Sequence, residues 1–306
     1  MQKRVHMHAY YANMHAMDLS WDDMRTVMCL VRGGSLAAAA QDLGLNYTTV
    51  ARRIARAEAS LGIMLFERLA DGYQPTEAGL LVAHHAAQMD TQTDALMRQL
   101  QGRDTTLRGP LTVTAPQLLI AHVLTPMIAQ FCKTFPEVDL HVRATNDLLD
   151  LNRREADLAI RISRDPGDRL MGLRLAAQQS ASFASPALAR KIVDDPNGVV
   201  DWIVYAGYTT VPKNVDPAYP NHNICMTFDD MVAIRAATQA GLGVARMPMF
   251  LGCTSDGLVQ VPVLPPQPYP DIWVVTHRDI WTAAKVTAFR EMLVPFMRAI
   301  RSQFVA

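Results

Sequence analysis

Residues 33–81 read GGSLAAAAQDLGLNYTTVARRIARAEASLGIMLFERLADGYQPTEAGLL, and together with the segment just before them they parse into short capped helices. Ser20 can cap a first helix, with Asp23 three residues on in a capping-box-like position. Met24, Val27, Met28 and Val31 then recur at i, i+3, i+4 and i+7, giving one apolar face. Gly33 and Gly34 end that helix as C-cap residues. Ser35 caps a second, alanine-rich helix that stops at Gly44, and Asn46 caps a third whose inward stripe is Val50, Ile54, Ala57 and Leu61. Two short helices joined by a tight glycine turn form a helix-turn-helix. The alanines at 37–40 are small enough for the third helix to cross the second closely.

The third helix also carries charge. Arg52, Arg53 and Arg56 appear with no acidic residue before Glu58, and its first turn offers Tyr47, Thr48 and Thr49. A recognition helix reads base edges with its N-terminal side chains while arginines hold phosphate or guanine. Three arginines alone would fit an ordinary solvated face. The glycine turn and the alanine helix beside them favour DNA. Asp71-Gly72 is a hairpin signal, so residues 65–75 read as a small β-wing. Thr76 can cap a long helix to about Gly102, along which Val82, Ala86, Met89, Thr93, Leu96 and Leu100 alternate in steps of four and three. Such a seam suits a helix pair. Packing onto its own domain is the competing reading, and the charge-poor length favours a dimerising linker.

The stretch just quoted resembles the DNA-binding domain of LysR-type transcriptional regulators, with high specificity over residues 17–80 and less sharply to the C-terminus. The resemblance implies a winged helix-turn-helix followed by a dimerising linker helix. It places DNA contacts at Ser35, Tyr47, Thr48, Arg52 and Arg53, with Arg68 near the wing. Three departures stand out. Ala51 sits where the family usually has Ser, Asp71 where it has a basic residue, and Pro75 where it has Leu. One hydroxyl contact is therefore missing, and backbone binding by the wing should be weaker.

Leu107-Arg108-Gly109-Pro110 punctuates the chain and opens a new regime. LTVTA reads as a strand, Leu118 to Phe135 as a helix, VDLHVRA as a strand, and Asp147 as the start of a short helix. DLAIRI, WIVYA, GLGVARMP and DIWVVT read as further strands. Helices are expected from Pro186, from Asp229 to Ala240, and from about Thr282 to Phe304. Alternating strands and helices predict an α/β domain with a largely parallel sheet. LTVTAP, FPEVDL, Asp157-Leu-Ala-Ile-Arg161 and Gly241-Leu-Gly-Val resemble the same family's effector-binding domain. That implies a periplasmic-binding-protein-like fold of two lobes, with crossovers near 180–184 and 271–275. A ligand then belongs at the carboxyl ends of strands. The candidates are Thr114, Gln117, Thr145 and Arg161 from one lobe, with Thr227 and Arg246 from the other. Arg161 ends a strongly apolar strand and is the expected anion clamp.

Composition bounds the rest. The 306 residues are 50% hydrophobic and 19% charged, which excludes wholesale disorder and leaves ample material for more than one core. Lys+Arg 29 against Asp+Glu 29 gives no net charge, so a nucleic-acid site must be a local patch. Cys29, Cys132, Cys225 and Cys253 form no CxxC pattern, which argues against a zinc ribbon or disulfide framework. No apolar run is long enough to cross a bilayer, and the basic N-terminus lacks the apolar core of a signal peptide, so a cytoplasmic location is expected. Residues 1–16, with His6, His8 and His15, read as a flexible tail, and Met17 is an alternative start. Gly241-x-Gly243 lacks the third glycine of a dinucleotide fingerprint, and no GxSxG, HExxH or phosphate-binding loop motif occurs. The expected protein is a transcriptional regulator with no catalytic site, metal or cofactor. Its partners are double-stranded DNA, a small-molecule effector and further copies of itself, as a homodimer or homotetramer, with no membrane. The expected domains are a winged helix-turn-helix over 17–76, a linker helix over 77–103 and an effector domain over 107–306. Lobe I should comprise about 107–180 and 276–306, and lobe II about 181–275. The rival is a solute-binding protein or small-molecule enzyme of α/β fold.

Overall fold

The computed structural model describes residues 19–69, 72–146, 151, 155–165 and 170–306. The expected tail, the alternative start at Met17, Asp71 and the short helix opened by Asp147 fall outside them. The chain divides between Met97 and Arg98 into two compact units.

In the first unit, α1 (Trp21–Gly33), α2 (Leu36–Leu43) and α3 (Tyr47–Leu61) are capped by Ser20, Ser35 and Asn46, each accepting a backbone N–H of the first turn through its side-chain oxygen. Gly34 (φ 66°) stops α1 in the left-handed conformation, where a side chain would be strained. Val27, Leu30, Ala39, Val50, Ile54, Ala57, Leu65 and Phe66 close one core. Ala39 is fully buried, as close crossing of α2 and α3 requires. The wing is an antiparallel pair, β1 (Phe66–Leu69) and β2 (Gly72–Pro75). Glu58 Oε1 ties it to α3 by accepting the N–H groups of Leu65 (2.8 Å) and Phe66 (3.2 Å).

The long helix α4 (Glu77–Gly102) starts at Thr76, whose Oγ1 accepts the N–H of Gly79. Its first turns pack on this core through Val82, Ala83 and Ala86. Gly79 permits the approach, since a Cβ there would lie 2.2 Å from the Leu65 carbonyl oxygen. The heptad reading therefore divides. Val82 and Ala86 serve their own domain, whereas Met89, Leu96 and Leu100 are 44%, 55% and 54% exposed.

The second unit is built on one nine-stranded sheet. In spatial order its main path is β4 (Val138–Ala144), β3 (Gly109–Ala115), β5 (Leu158–Ser163), β11 (Gln267–His277), β6 (Leu170–Ala184), β9 (Val244–Pro248), β7 (Val200–Tyr205) and β8 (His222–Phe228), with β10 (Val259–Val261) on β6. The two flanks are parallel. The centre is not, because β6 and β11 run antiparallel to each other, as do β11 with β5 and β6 with β9. The expectation of a largely parallel sheet is corrected on this point. One long strand leaves the first lobe and the other returns to it, so the two must run in opposite directions. β6 exchanges β11 for β9 at Ser180, and the register of β11 with β6 breaks between Tyr269 and Ile272.

The helix read from Leu118 to Phe135 is also corrected. It runs as a short helical turn, α5 (Gln117–Leu119), then a π segment, Ile120–Leu124, then α6 (Thr125–Thr134). Pro126 has no N–H to give, and the Thr125 N–H reaches back to the Ile120 carbonyl. The remaining helices are α7 (Pro186–Asp194), α8 (Met231–Gln239), α9 (Met249–Thr254) and α10 (Ala284–Ala299). Phe131, Phe250, Phe289 and Phe304 anchor the larger core, and Trp202, Val244 and Val263 anchor a second.

Candidate functional site

Two sites emerge, one in each unit. In the first, the N-terminal turns of α3 present Tyr47 at 60% exposure, with Thr48 and Arg52 also exposed. Thr48 Oγ1 donates to the capping Asn46 Oδ1 (2.8 Å), which orients its hydroxyl. Ser35 is half-buried and spends its hydroxyl oxygen on the Ala38 N–H (3.2 Å).

The three arginines of α3 are not equivalent. Arg53 Nη2 donates to Asp22 Oδ2 at 2.8 Å, and Arg56 bonds both oxygens of Asp23. Asp23 is 2% exposed. Burial pushes its carboxyl up, but the bonds from Arg56 and Ser20 outweigh this and hold it below the usual range. Arg56 thus fastens α3 to α1. No such bond holds Arg52 among the described residues. Arg68 is exposed on the wing, with its guanidinium 5.9 Å from the Tyr73 ring centroid. The site therefore offers one exposed arginine on the helix, one on the wing and one engaged with Asp22.

The second site is a cavity of about 650 Å³ between the lobes of the second unit. That lies within the roughly 300–1,000 Å³ of small-molecule pockets. Thr114, Thr145, Arg161 and Arg246 all line it. Thr114 Oγ1 donates to the Arg143 carbonyl oxygen (3.1 Å), so its hydroxyl proton is committed to the neighbouring strand. Arg246 is held from behind. Its Nε donates to the buried Ser180 Oγ (2.8 Å), and its guanidinium lies 5.7 Å from the Tyr269 ring centroid. Burial raises the Tyr269 phenol, and the Arg246 charge opposes that shift.

Two sequence candidates are corrected. Gln117 does not line the cavity, because its Nε2 donates to Asp230 Oδ2 (3.1 Å). Thr227 does not line it either. It stands just before the helix read from Asp229, yet α8 begins at Met231 with Asp230 as its cap, and Thr227 is an exposed residue of the edge strand β8. Sequence reasoning missed Arg164, Tyr205, Tyr208, Lys213 and Tyr269, all of which line the cavity. Tyr205 ends β7 and was within reach of the same strand-end rule. The others lie on connections and on a crossing strand, where no local pattern marks them. No Asp or Glu lines the cavity among the described residues, against the cations Arg161, Arg164, Lys213 and Arg246.

Comparison with known proteins follows the same division. Residues 21–80 match the bacterial regulatory helix-turn-helix protein, lysR family, and residues 104–298 match the LysR substrate binding domain. The Mau operon transcriptional activator of Paracoccus denitrificans is 29% identical over 280 residues, covering 88% of this chain and 94% of that protein. Full-length AphB, a virulence activator of Vibrio cholerae, shares the fold with TM-score 0.57 at 20% identity, over 90% of this chain and 99% of that one. A full-length AphB variant superposes with TM-score 0.62 at 20% identity, over 89% and 98%.

Proposed function

The chain belongs to the LysR family of bacterial transcriptional regulators, and from that premise we propose that Arg52, Tyr47 and Thr48 read DNA bases while an anionic small molecule sets the response. Ser35, at the cap of α2, is a further DNA contact, and Arg68 and Arg53 hold phosphates. Arg53 must first leave Asp22. Two copies pair through the exposed seam of α4 at Met89, Leu96 and Leu100, as a dimer or a dimer of dimers. Half-sites on DNA then recur at spacings set by the helical repeat. Binding chromosomal DNA puts the protein in the cytoplasm. Among the described residues, no helix is long and apolar enough to cross a membrane.

The observation that carries the effector reading is the cavity wall, with four cations, no carboxylate among the described residues, and apolar side chains such as Leu118, Ile162, Met231 and Phe250. An anion with an apolar body matches that lining. Arg161, on the strand that ends at Ser163, is the proposed clamp. Thr145 and Arg246 complete the polar contacts.

A thermal-shift screen of the full chain against small carboxylates, with neutral and cationic analogues beside them, tests this reading, because a bound ligand raises the melting temperature with its occupancy. For a stabilising carboxylate, Arg161→Lys keeps the charge and loses the planar fork. Loss of one charge-assisted bond corresponds to about 1.5–3 kcal/mol, or roughly 10- to 150-fold in affinity. Stabilisation by neutral or cationic compounds alone would end the anion reading. Equal affinity for wild type and Arg161→Lys would remove Arg161 from the site.

A further inference from the structure

The helical run beginning at Gln117 carries a single ionisable side chain before Cys132, that of His122, and it stands in the π segment. Three bonds join this run of lobe I to lobe II. Gln117 Nε2 donates to Asp230 Oδ2 at the cap of α8 (3.1 Å). Arg235 Nη1, on α8, is 2.8 Å from His122 Nε2, and Thr254 Oγ1, on α9, is 3.3 Å from His122 Nδ1. A guanidinium can only donate, so Nε2 of His122 is an acceptor and the ring proton resides on Nδ1. Thr254 spends its own hydroxyl proton on the Phe250 carbonyl (2.5 Å) and so receives that of His122. The chain Arg235, His122, Thr254, Phe250 runs in one direction and is complete only with a neutral imidazole.

We propose that His122 is a protonation-controlled latch between the two lobes. Neutral, it fastens α8 and α9 to the π segment. Protonated at Nε2, it loses its acceptor, sets one cation against another at hydrogen-bond distance, and releases the contact. The surroundings offer no compensation. From α8 the facing charge is Arg235. Asp230, at the cap of that helix, already accepts from Val232 N–H, Ala233 N–H and Gln117. From α9 come Thr254 and Cys253, a thiol that burial pushes up and keeps neutral. Gln239, at the end of α8, donates to the backbone of Asp256. No carboxylate pairs with Arg235 among the described residues, and its Nε is buried without a partner. Burial first, and the Arg235 charge second, hold His122 below its ordinary value of 6.5.

The direction of the response follows. With the latch shut the imidazole resists its proton, and with the latch open it titrates normally. The closed form keeps its full advantage above about 6.5 and loses it as the pH falls from there toward the depressed value. Leu119, Ile234 and Leu251 flank the latch on the same three segments and line the cavity, so opening the latch alters the cavity wall.

Hydrogen exchange on the full chain without effector tests this independently of what the cavity binds. Rates are corrected for their intrinsic pH dependence, and segments 117–124, 231–239 and 249–254 are followed as the pH is lowered through 6.5. Wild-type protection there should fall by up to about tenfold per pH unit, the limit for one proton, while residues 21–61 stay unchanged. His122→Gln retains an acceptor and a donor but cannot charge, so it should keep its protection. Arg235→Met, which removes the opposing cation and leaves the burial, should weaken the response and serves if the glutamine variant fails to fold. Wild-type protection that ignores pH would overturn the proposal, as would an equal pH response in His122→Gln.

Discussion

Arg52→Ala separates the three arginines of the recognition helix by function. Arg56 is engaged with the buried Asp23 and Arg53 with Asp22, whereas no such bond holds Arg52 among the described residues. A bidentate arginine–guanine contact is worth about 1–3 kcal/mol of discrimination, so Arg52→Ala should weaken operator binding roughly 5- to 150-fold and relax the preference at one base position. Arg53→Ala should cost less. In the wild type, reaching a phosphate means giving up an ion pair with an exposed aspartate, which offsets about 0–1 kcal/mol of the gain. Arg68→Ala should weaken all sequences alike and flatten the salt slope by about one unit. Fluorescence anisotropy with an operator fragment, taken from a genome-wide map of bound DNA and read over a salt series, distinguishes these outcomes. If Arg52→Ala binds like wild type, or Arg53→Ala costs more than Arg52→Ala, the assignment of roles along α3 is wrong.

Two further predictions concern assembly and acid stability. Met89→Asp with Leu96→Asp would bury unpaired charge in a paired α4 seam, so sedimentation should show smaller species and operator affinity should drop; an unchanged oligomer moves the interface to the effector domain. Asp23 is held below its ordinary 3.8 by Arg56 and Ser20 against the opposing effect of burial, so its stabilising contribution is present above that value and lost as the pH falls through the lowered one. Asp23→Asn should therefore destabilise the first unit near neutrality, with the gap to wild type narrowing below pH 4 in the hydrogen exchange of α1; a constant gap refutes the ion-pair account.

The first unit is legible because its determinants are local. Serine and asparagine caps, left-handed glycines and an i, i+3, i+4 stripe each act within one turn of helix. What could not be read there are the partners of Arg53 and Arg56, which lie 31 and 33 residues away on α1. The pattern of arginines was visible, and their division into an exposed arginine and a helix clamp was not. The long helix shows the same limit. Its periodicity runs on past the domain, and the buried Ala83 and Ala86 show where it stops serving that domain and begins to face outward.

The second unit was legible strand by strand and illegible where strands change neighbours. β6 alternates poorly because Leu170–Ser180 lies beside β11 and Ser180–Phe183 beside β9, and burial changes along it from partly exposed at its start to continuous from Ser180 on. A strand that serves two lobes shows no single two-residue period. The cavity follows the same rule. Thr114, Thr145, Arg161 and Arg246, read as strand ends, line it, while Tyr269 lies at the register break of β11, in a proline-rich run that carries no such signal. Gln117 is the instructive miss. It follows a strand end correctly, but a carboxylate 113 residues away captures its amide. Its partner Asp230 is the cap of the helix that carries Arg235. The contact that removes Gln117 from the cavity is therefore the same lobe-to-lobe seam in which His122 sits, so the failed ligand candidate and the latch share one structural cause.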